Sequence, residues 1–211
     1  MLAGLPVRLP AGPIMLPAKI FLVDRSPGLI AAWEEAFEAF PQVEPRLADF
    51  FSVHADAMLS PANSFGIMDG GLDLAIRETL GFSVQEAAQR VIVERHHGEL
   101  AVGTAEVVET GDPRWPFLVI APTMRVPESI AQTVNAYLAF RAALLAVRRH
   151  NEAGRGTIRT MLSPGLGTGV GGLEPRRCAA QMRIALKQAI GAPRIPSFHA
   201  IHTVHRAMRA S

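Results

Sequence analysis

Two short polar side chains, Asn63 and Asp73, stand within and at the far end of the stretch Asp56-Ala-Met-Leu-Ser-Pro-Ala-Asn-Ser-Phe-Gly-Ile-Met-Asp-Gly-Gly-Leu-Asp73. One can hold a substrate hydroxyl while the other holds a water. Between them Gly70 and Gly71 let backbone come close to a ligand, and the first N–H groups of a helix starting near Leu72 form an anion site. A second stretch has the same order. Thr157-Ile-Arg-Thr-Met-Leu162 reads as a strand, Ser163-Pro-Gly-Leu-Gly-Thr-Gly-Val-Gly-Gly172 is a loop with five glycines, and Pro175 suits the first turn of a following helix. Two anion-type loops in one small chain suggest a ligand with a diphosphate at its centre.

The elements that must position these loops can be read along the chain. Lys19–Val23 is a short strand, and Ser26-Pro27 suits the N-cap and first position of a helix through Phe40. This opening is similar to a response-regulator receiver, but of the acids such a domain needs only Asp24 is present. A strand around Val43–Leu47 ends in Ala48-Asp-Phe50. Leu72–Leu80 is a helix stopped by Gly81, and Ser83-Val-Gln-Glu86 has capping-box spacing for a helix to Arg95. Ala105–Thr110 and Leu118–Ala121 are strands by their β-branched and apolar content. Val134–His150 shows an apolar stripe at 3–4 spacing, and Pro175–Ile190 is the last helix. Strands alternating with helices predict an α/β fold with helices on both faces of a mixed or mostly parallel sheet.

At the two loops the chain resembles the macrodomain family, whose members bind ADP-ribose. Ser60-Pro-Ala-Asn63 followed by Asp69-Gly-Gly-Leu-Asp73 resembles the family's Asn-Ala-Ala-Asn and Gly-Gly-Gly-Val-Asp signature. The glycine loop resembles its serine-threonine-glycine-isoleucine-tyrosine-glycine segment, and Gly103–Gly111 and Phe117–Pro122 resemble its two middle strands. The likeness spans roughly residues 43–190 and implies a three-layer α/β/α sandwich with a mixed central sheet. The expected layout is an irregular lead segment (1–18), a macrodomain with an extra N-terminal strand and helix (19–191) and a basic C-terminal segment (192–211).

The resemblance also assigns roles. Asp49 would accept from the adenine amine and the Phe50 N–H would touch the ring; a helix cap or a turn is the plainer role for such an aspartate. Backbone N–H groups of Thr168, Gly169, Val170, Gly171 and Gly172 would cradle the diphosphate. Gly70 and Gly71 would let the first loop close over the distal ribose, whose hydroxyls Asn63 would hold, and Ala62 would be a further ligand-binding residue. Asp73 matches the aspartate that orients or activates a water in the hydrolytic branch, MacroD-type, so Asn63 and Asp73 are the expected catalytic pair. The implied reaction is hydrolysis of an ADP-ribosyl ester, on protein side chains or in O-acetyl-ADP-ribose, without metal or other cofactor. A non-catalytic reader of ADP-ribose is the alternative. Phe198 is the candidate for stacking on adenine.

The chain departs from the family pattern at Ser60, Pro61 and Asp69. Gly171 stands where an aromatic usually covers the diphosphate and ribose. The only lysines, Lys19 and Lys187, lie outside both loops, which sets aside covalent chemistry through lysine. Gly167-Thr-Gly-Val-Gly-Gly172 also fits the dinucleotide fingerprint, but no acid follows Glu174 to hold a ribose. No glycine run ends in Gly-Lys-Ser/Thr, which excludes a P-loop.

Composition agrees with a folded domain: of 211 residues, 49% are hydrophobic and 19% charged. A lone cysteine, Cys178, excludes a disulfide framework and suits a reducing cytoplasm. No run of about 20 apolar residues suggests a membrane span. His96 and His97 are expected at the surface, as are His199, His202 and His205, which recur every third residue. Charge is uneven: residues 1–174 hold 14 basic and all 19 acidic residues, whereas the last 37 hold seven basic ones and no acid. Such a segment offers a polyanion contact, or simply a solvated helix face and tail.

Overall fold

The computed structural model describes residues 16–155 and 157–210, so most of the expected lead segment lies outside the described residues. In chain order the elements are β1 (Lys19–Asp24), α1 (Pro27–Phe37), β2 (Val43–Leu47), β3 (Ala57–Ser60), α2 (Gly71–Leu80), α3 (Ser83–His96), β4 (Glu106–Glu109), β5 (Phe117–Ile120), α4 (Asn135–Glu152), β6 (Thr160–Ser163), α5 (Pro175–Ile190) and α6 (Phe198–Ala210). The strands form one sheet in the order β2-β1-β6-β3-β5-β4. All neighbours run parallel except β4, which pairs antiparallel with β5 at the edge.

Both sheet faces are buried, and the strands divide their side chains between them with a period of two. Ala57 and Leu59 of β3 join one apolar layer with Ile20, Leu22, Val119 and Met161, and helices α1, α4 and α5 cover it. Met58 joins the other layer with Val23, Leu118, Ile120 and Leu162, under α2 and α3. The fold is therefore a three-layer α/β/α sandwich with a mixed six-stranded sheet. Cys178 is fully buried in the first layer, where loss of solvent pushes its thiol up to about 12. Among the described residues no helix is long and apolar enough to cross a membrane.

Several local expectations change. Ser26 precedes α1 without a side-chain cap; instead its N–H donates to Asp24 Oδ1 at 2.8 Å. The capping box at Ser83 does not form, because the backbone is already helical at Phe82 (φ −65°, ψ −25°), and the Glu86 N–H bonds the Phe82 carbonyl at 3.2 Å. His96 is not a free surface group: it is largely covered and lies 2.9 Å from Glu106 Oε1. His97 is exposed, with a left-handed φ of 53° that closes α3. The basic C-terminal segment contains a further helix, α6, against α5: the Gln181 amide reaches the Met208 carbonyl at 3.1 Å.

The contact that matters most for function joins the starts of β3 and β6. These strands share only the pairs Ala57–Met161 and Met58–Leu162. Asp56 reinforces them: its Oδ2 accepts from the N–H groups of Arg159 and Thr160 at 2.8 Å each and from Thr160 Oγ1 at 2.9 Å, while its own N–H donates to Thr160 Oγ1 at 2.8 Å. Hydrogen bonds to a charged acceptor contribute about 1.5–3 kcal/mol each and are not additive. Replacing Asp56 by Ala is expected to cost about 3 kcal/mol, read by calorimetry as a fall in Tm of roughly 6–12 °C. A change below about 1 °C would show that the β3–β6 junction does not depend on this carboxylate.

Candidate functional site

Parallel strands that end on the same side leave their following loops clustered outside their carboxyl ends, the usual ligand position in open α/β sheets. Here that position holds a cavity of about 710 Å³, within the roughly 300–1,000 Å³ range of small-molecule sites. Its wall comes from the end of β1 with Arg25 (Val23, Asp24, Arg25) and from the segments after β2 (Asp49, Phe50), β3 (Pro61 to Asp73), β5 (Thr123, Met124) and β6 (Pro164 to Gly171). The two glycine-bearing loops predicted from sequence share this one cleft because β3 and β6 are neighbours.

The β6 loop explains its own glycines. Gly167 has φ +75°, and a Cβ there would meet Ile130 Cδ1 at 2.3 Å. A Cβ on Gly171 would lie 2.6 Å from the Gly167 carbonyl oxygen and 2.7 Å from Ile130 Cγ1, so the loop as folded has no room for a side chain at this position. Its carbonyl accepts from the Ile130 N–H at 2.8 Å, which holds the loop down. Among the described residues the N–H groups of Thr168, Gly169 and Val170 have no acceptor, and all three residues line the cleft. Gly172 differs from expectation: its N–H bonds the Gly169 carbonyl at 3.0 Å and it does not line the cleft.

The β3 loop is organised by Asn63. Its Oδ1 accepts from Phe65 and Ile67 N–H at 3.0 and 3.3 Å, and its amide donates to the Ile67 carbonyl at 2.6 Å. A bridge to Met124 ties it to the segment that follows β5. Asn63 lines the cleft, yet most of its hydrogen-bonding capacity closes its own turn. Ala62 is buried beneath it and also lines the cleft. Gly70 and Gly71 are exposed at the rim, and Gly71 enters α2 with a left-handed φ of +56°.

Asp73 lies in the first turn of α2 and faces the cleft. The buried Ser60 hydroxyl, at the carboxyl end of β3, donates to its Oδ1 at 2.6 Å. Loss of solvent pushes the Asp73 carboxyl up from 3.8 to about 6; the Ser60 hydrogen bond opposes this but is the smaller effect. The motif position taken by Ser60 thus has a structural meaning that sequence spacing did not reveal.

At the other end of the cleft Asp49 accepts from the Phe51 N–H at 2.8 Å through Oδ1 and pairs with Arg25 through Oδ2. The plainer reading of Asp49 as a cap for the short turn Phe50–Ser52 therefore applies, and the Phe50 side chain is buried while the residue lines the cleft. Asp24, Arg25, Thr123 and Met124 are wall residues that motif reading missed. Their signal was position, at the last residue of β1 for Asp24 and shortly past a strand end for the others. Phe198 is a correction: it stands on α6, 76% exposed, and does not line the cleft.

Among the charged residues of the wall, Asp24, Asp49, Asp69 and Asp73 face a single cation, Arg25. With so few cationic groups on the wall, an anionic group would depend mainly on backbone N–H donors. His199, His202 and His205 are all exposed, and no group of three or more His, Cys, Asp or Glu suited to a metal occurs among the described residues.

An open α/β sandwich with a glycine-loop cleft at the carboxyl ends of its strands is the class that the geometry defines. Residues 59–182 match the Macro domain family, and the chain belongs to it. An uncharacterized protein of Aeropyrum pernix is 34% identical over 139 residues, 66% of this chain and 67% of its own length. The macrodomain of Mycobacterium tuberculosis DarG has a similar fold (TM-score 0.54, 20% identity, 67% of this chain and 87% of that one). So does a point mutant of the Oceanobacillus iheyensis macrodomain solved with ADPR (TM-score 0.57, 18% identity, 69% and 77% of the two chains).

The raised Asp73 pKa has a defined sign. Between about pH 4 and pH 6 the unfolded chain has released this proton while the folded one still binds it, so stability falls as pH rises through that window and stays lower above it. An Asp73→Asn variant keeps an acceptor for Ser60 and lacks the titration. Its Tm relative to the natural protein is expected to climb between pH 4 and pH 6 and then level off. A pH-independent difference would remove the desolvated carboxylate from the account.

Proposed function

We propose that this macrodomain binds ADP-ribose in the cleft and hydrolyses ADP-ribosyl esters with Asp73 as the general base. The observation that carries the reading is the Asp73 carboxyl itself: in the cleft, partly buried, with one oxygen held by Ser60. The diphosphate would lie against the Thr168–Val170 N–H groups, and the ADPR bound by the Oceanobacillus iheyensis macrodomain supports that choice of ligand. Gly70 and Gly71 leave the distal ribose room at the head of α2. The adenine would lie towards Asp49 and Phe50.

In the reaction a water beside the free oxygen of Asp73 attacks the anomeric carbon of the distal ribose. Asp73 takes the water's proton as the new C–O bond forms, and the ester carboxylate leaves with the electron pair of the bond that breaks. A carboxyl that titrates at about 6 is mostly ionised at neutral pH while remaining a better base than an ordinary aspartate. Asn63 contributes by shaping the loop, and its remaining amide hydrogen is available to a ribose hydroxyl.

General-base catalysis contributes about 10²–10⁴-fold. With a glutamate-ADP-ribosylated peptide as substrate, Asp73→Ala is therefore expected to lower kcat about 100-fold or more and to change the calorimetric Kd for ADP-ribose less than threefold. Ser60→Ala is expected to move the acid limb of the pH–kcat/KM profile to higher pH, since the hydroxyl stabilises the ionised form. Turnover unchanged in Asp73→Ala would remove Asp73 from the reaction. The commitment of Asn63 to its own turn and the bare Gly171 favour a second reading, a binding module without turnover. Calorimetric binding of ADP-ribose by the natural protein with no product released would establish it.

A further inference from the structure

The family match ends at residue 182 and α6 begins at Phe198, so this helix lies outside the matched residues. Its two faces differ. Met208 is buried and Val204 partly covered on the side that meets α5, where the Gln181 amide bonds the Met208 carbonyl. On the other side His199, His202, Arg206 and Arg209 recur at intervals of three and four, which places them in one stripe. All four are exposed, as is His205 beside them. Phe198 stands at the head of the stripe, 76% exposed, its ring 4.4 Å from that of His202. No acid occurs after Glu174, so nothing within this part of the chain neutralises Arg206 or Arg209.

We propose that the outer face of α6 is a docking surface for single-stranded nucleic acid. Arg206 and Arg209 would contact successive phosphates, and the exposed Phe198–His202 ring pair would receive a base. The stripe from Phe198 to Arg209 is about 17 Å long at 1.5 Å per residue, enough for a short run of nucleotides. Three other occupants fit less well. A helix lying on a membrane needs a broad free apolar face, whereas Met208 and Val204 of α6 are turned to α5 and only Phe198 and Ile201 stay exposed beside the basic stripe. An acidic peptide would satisfy the arginines but leave the exposed ring pair without a role. A second copy of this basic face would repel it. The surface is separate from the cleft, since no α6 residue lines it.

The test is fluorescence anisotropy of a labelled 16-mer of thymidine with the full chain at 50 mM salt. Binding is expected, with log K falling against log salt at a slope of about −1.4 for two neutralised phosphates on a single strand. Arg206→Glu with Arg209→Glu is expected to weaken it at least tenfold, and Phe198→Ala at least fivefold, with the thermal shift caused by ADP-ribose unchanged. That last control separates this surface from the cleft, because a protein that fails to bind ADP-ribose can still bind the oligonucleotide. No binding at 50 mM salt, equal binding by the charge-reversed variant, or binding only to anionic phosphatidylserine vesicles would each overturn the proposal.

Discussion

Everything at the site depends on β3 and β6 lying side by side. They are about 100 residues apart in the chain and share only two residue pairs, yet the loops that follow them must converge on one ligand-sized cleft. Asp56 is what makes so short a junction specific. A single carboxylate oxygen gathers two backbone N–H groups and a hydroxyl from the start of β6, and this fixes register at the end of the strands remote from the cleft. A slip of one residue would turn Met161 and Leu162 to the wrong layers, so the apolar alternation and the carboxylate select the same pairing.

The cleft is unusual in its balance of charge. An anion would meet four aspartates and one arginine, and that arginine already pairs with Asp49. Backbone N–H groups resolve the conflict because they are neutral, directional and fixed by the fold; they attract phosphate only where the loop presents them. This is why the β6 loop needs its glycines. Gly167 supplies a left-handed turn, and Gly171 lets one strand of the loop pass within contact distance of the other. The same crowding at Gly171 leaves the outer side of the cleft without a covering aromatic.

Asp73 and Ser60 show how a strand end and a helix start combine into one chemical group. The hydroxyl of a buried serine takes one carboxylate oxygen, and loss of water around the pair raises the carboxyl to about 6. Neither effect belongs to the aspartate alone. Both arise where the carboxyl end of β3 meets the first turn of α2.

Much of this was legible in the sequence because it is local. Hydrophobic periodicity placed the strands and helices, glycine-rich loops marked the anion-binding turns, and the ordered motifs around Asn63, Asp73 and Thr168 pointed to the family and to the sandwich. What failed was decided at longer range. The Ser83 capping box lost to a backbone already helical at Phe82, Gly172 turned its N–H inward, and Phe198 lay on α6, away from the cleft. The partners of Asp49, Asp56 and Asp73 were likewise invisible, because a hydrogen bond between residues 13, 24 or 104 positions apart leaves no periodic trace. Sequence alone determined which groups are available and on which element each sits; only the packed sheet decided which of them meet, since strand order brings distant loops together and burial then sets their charge.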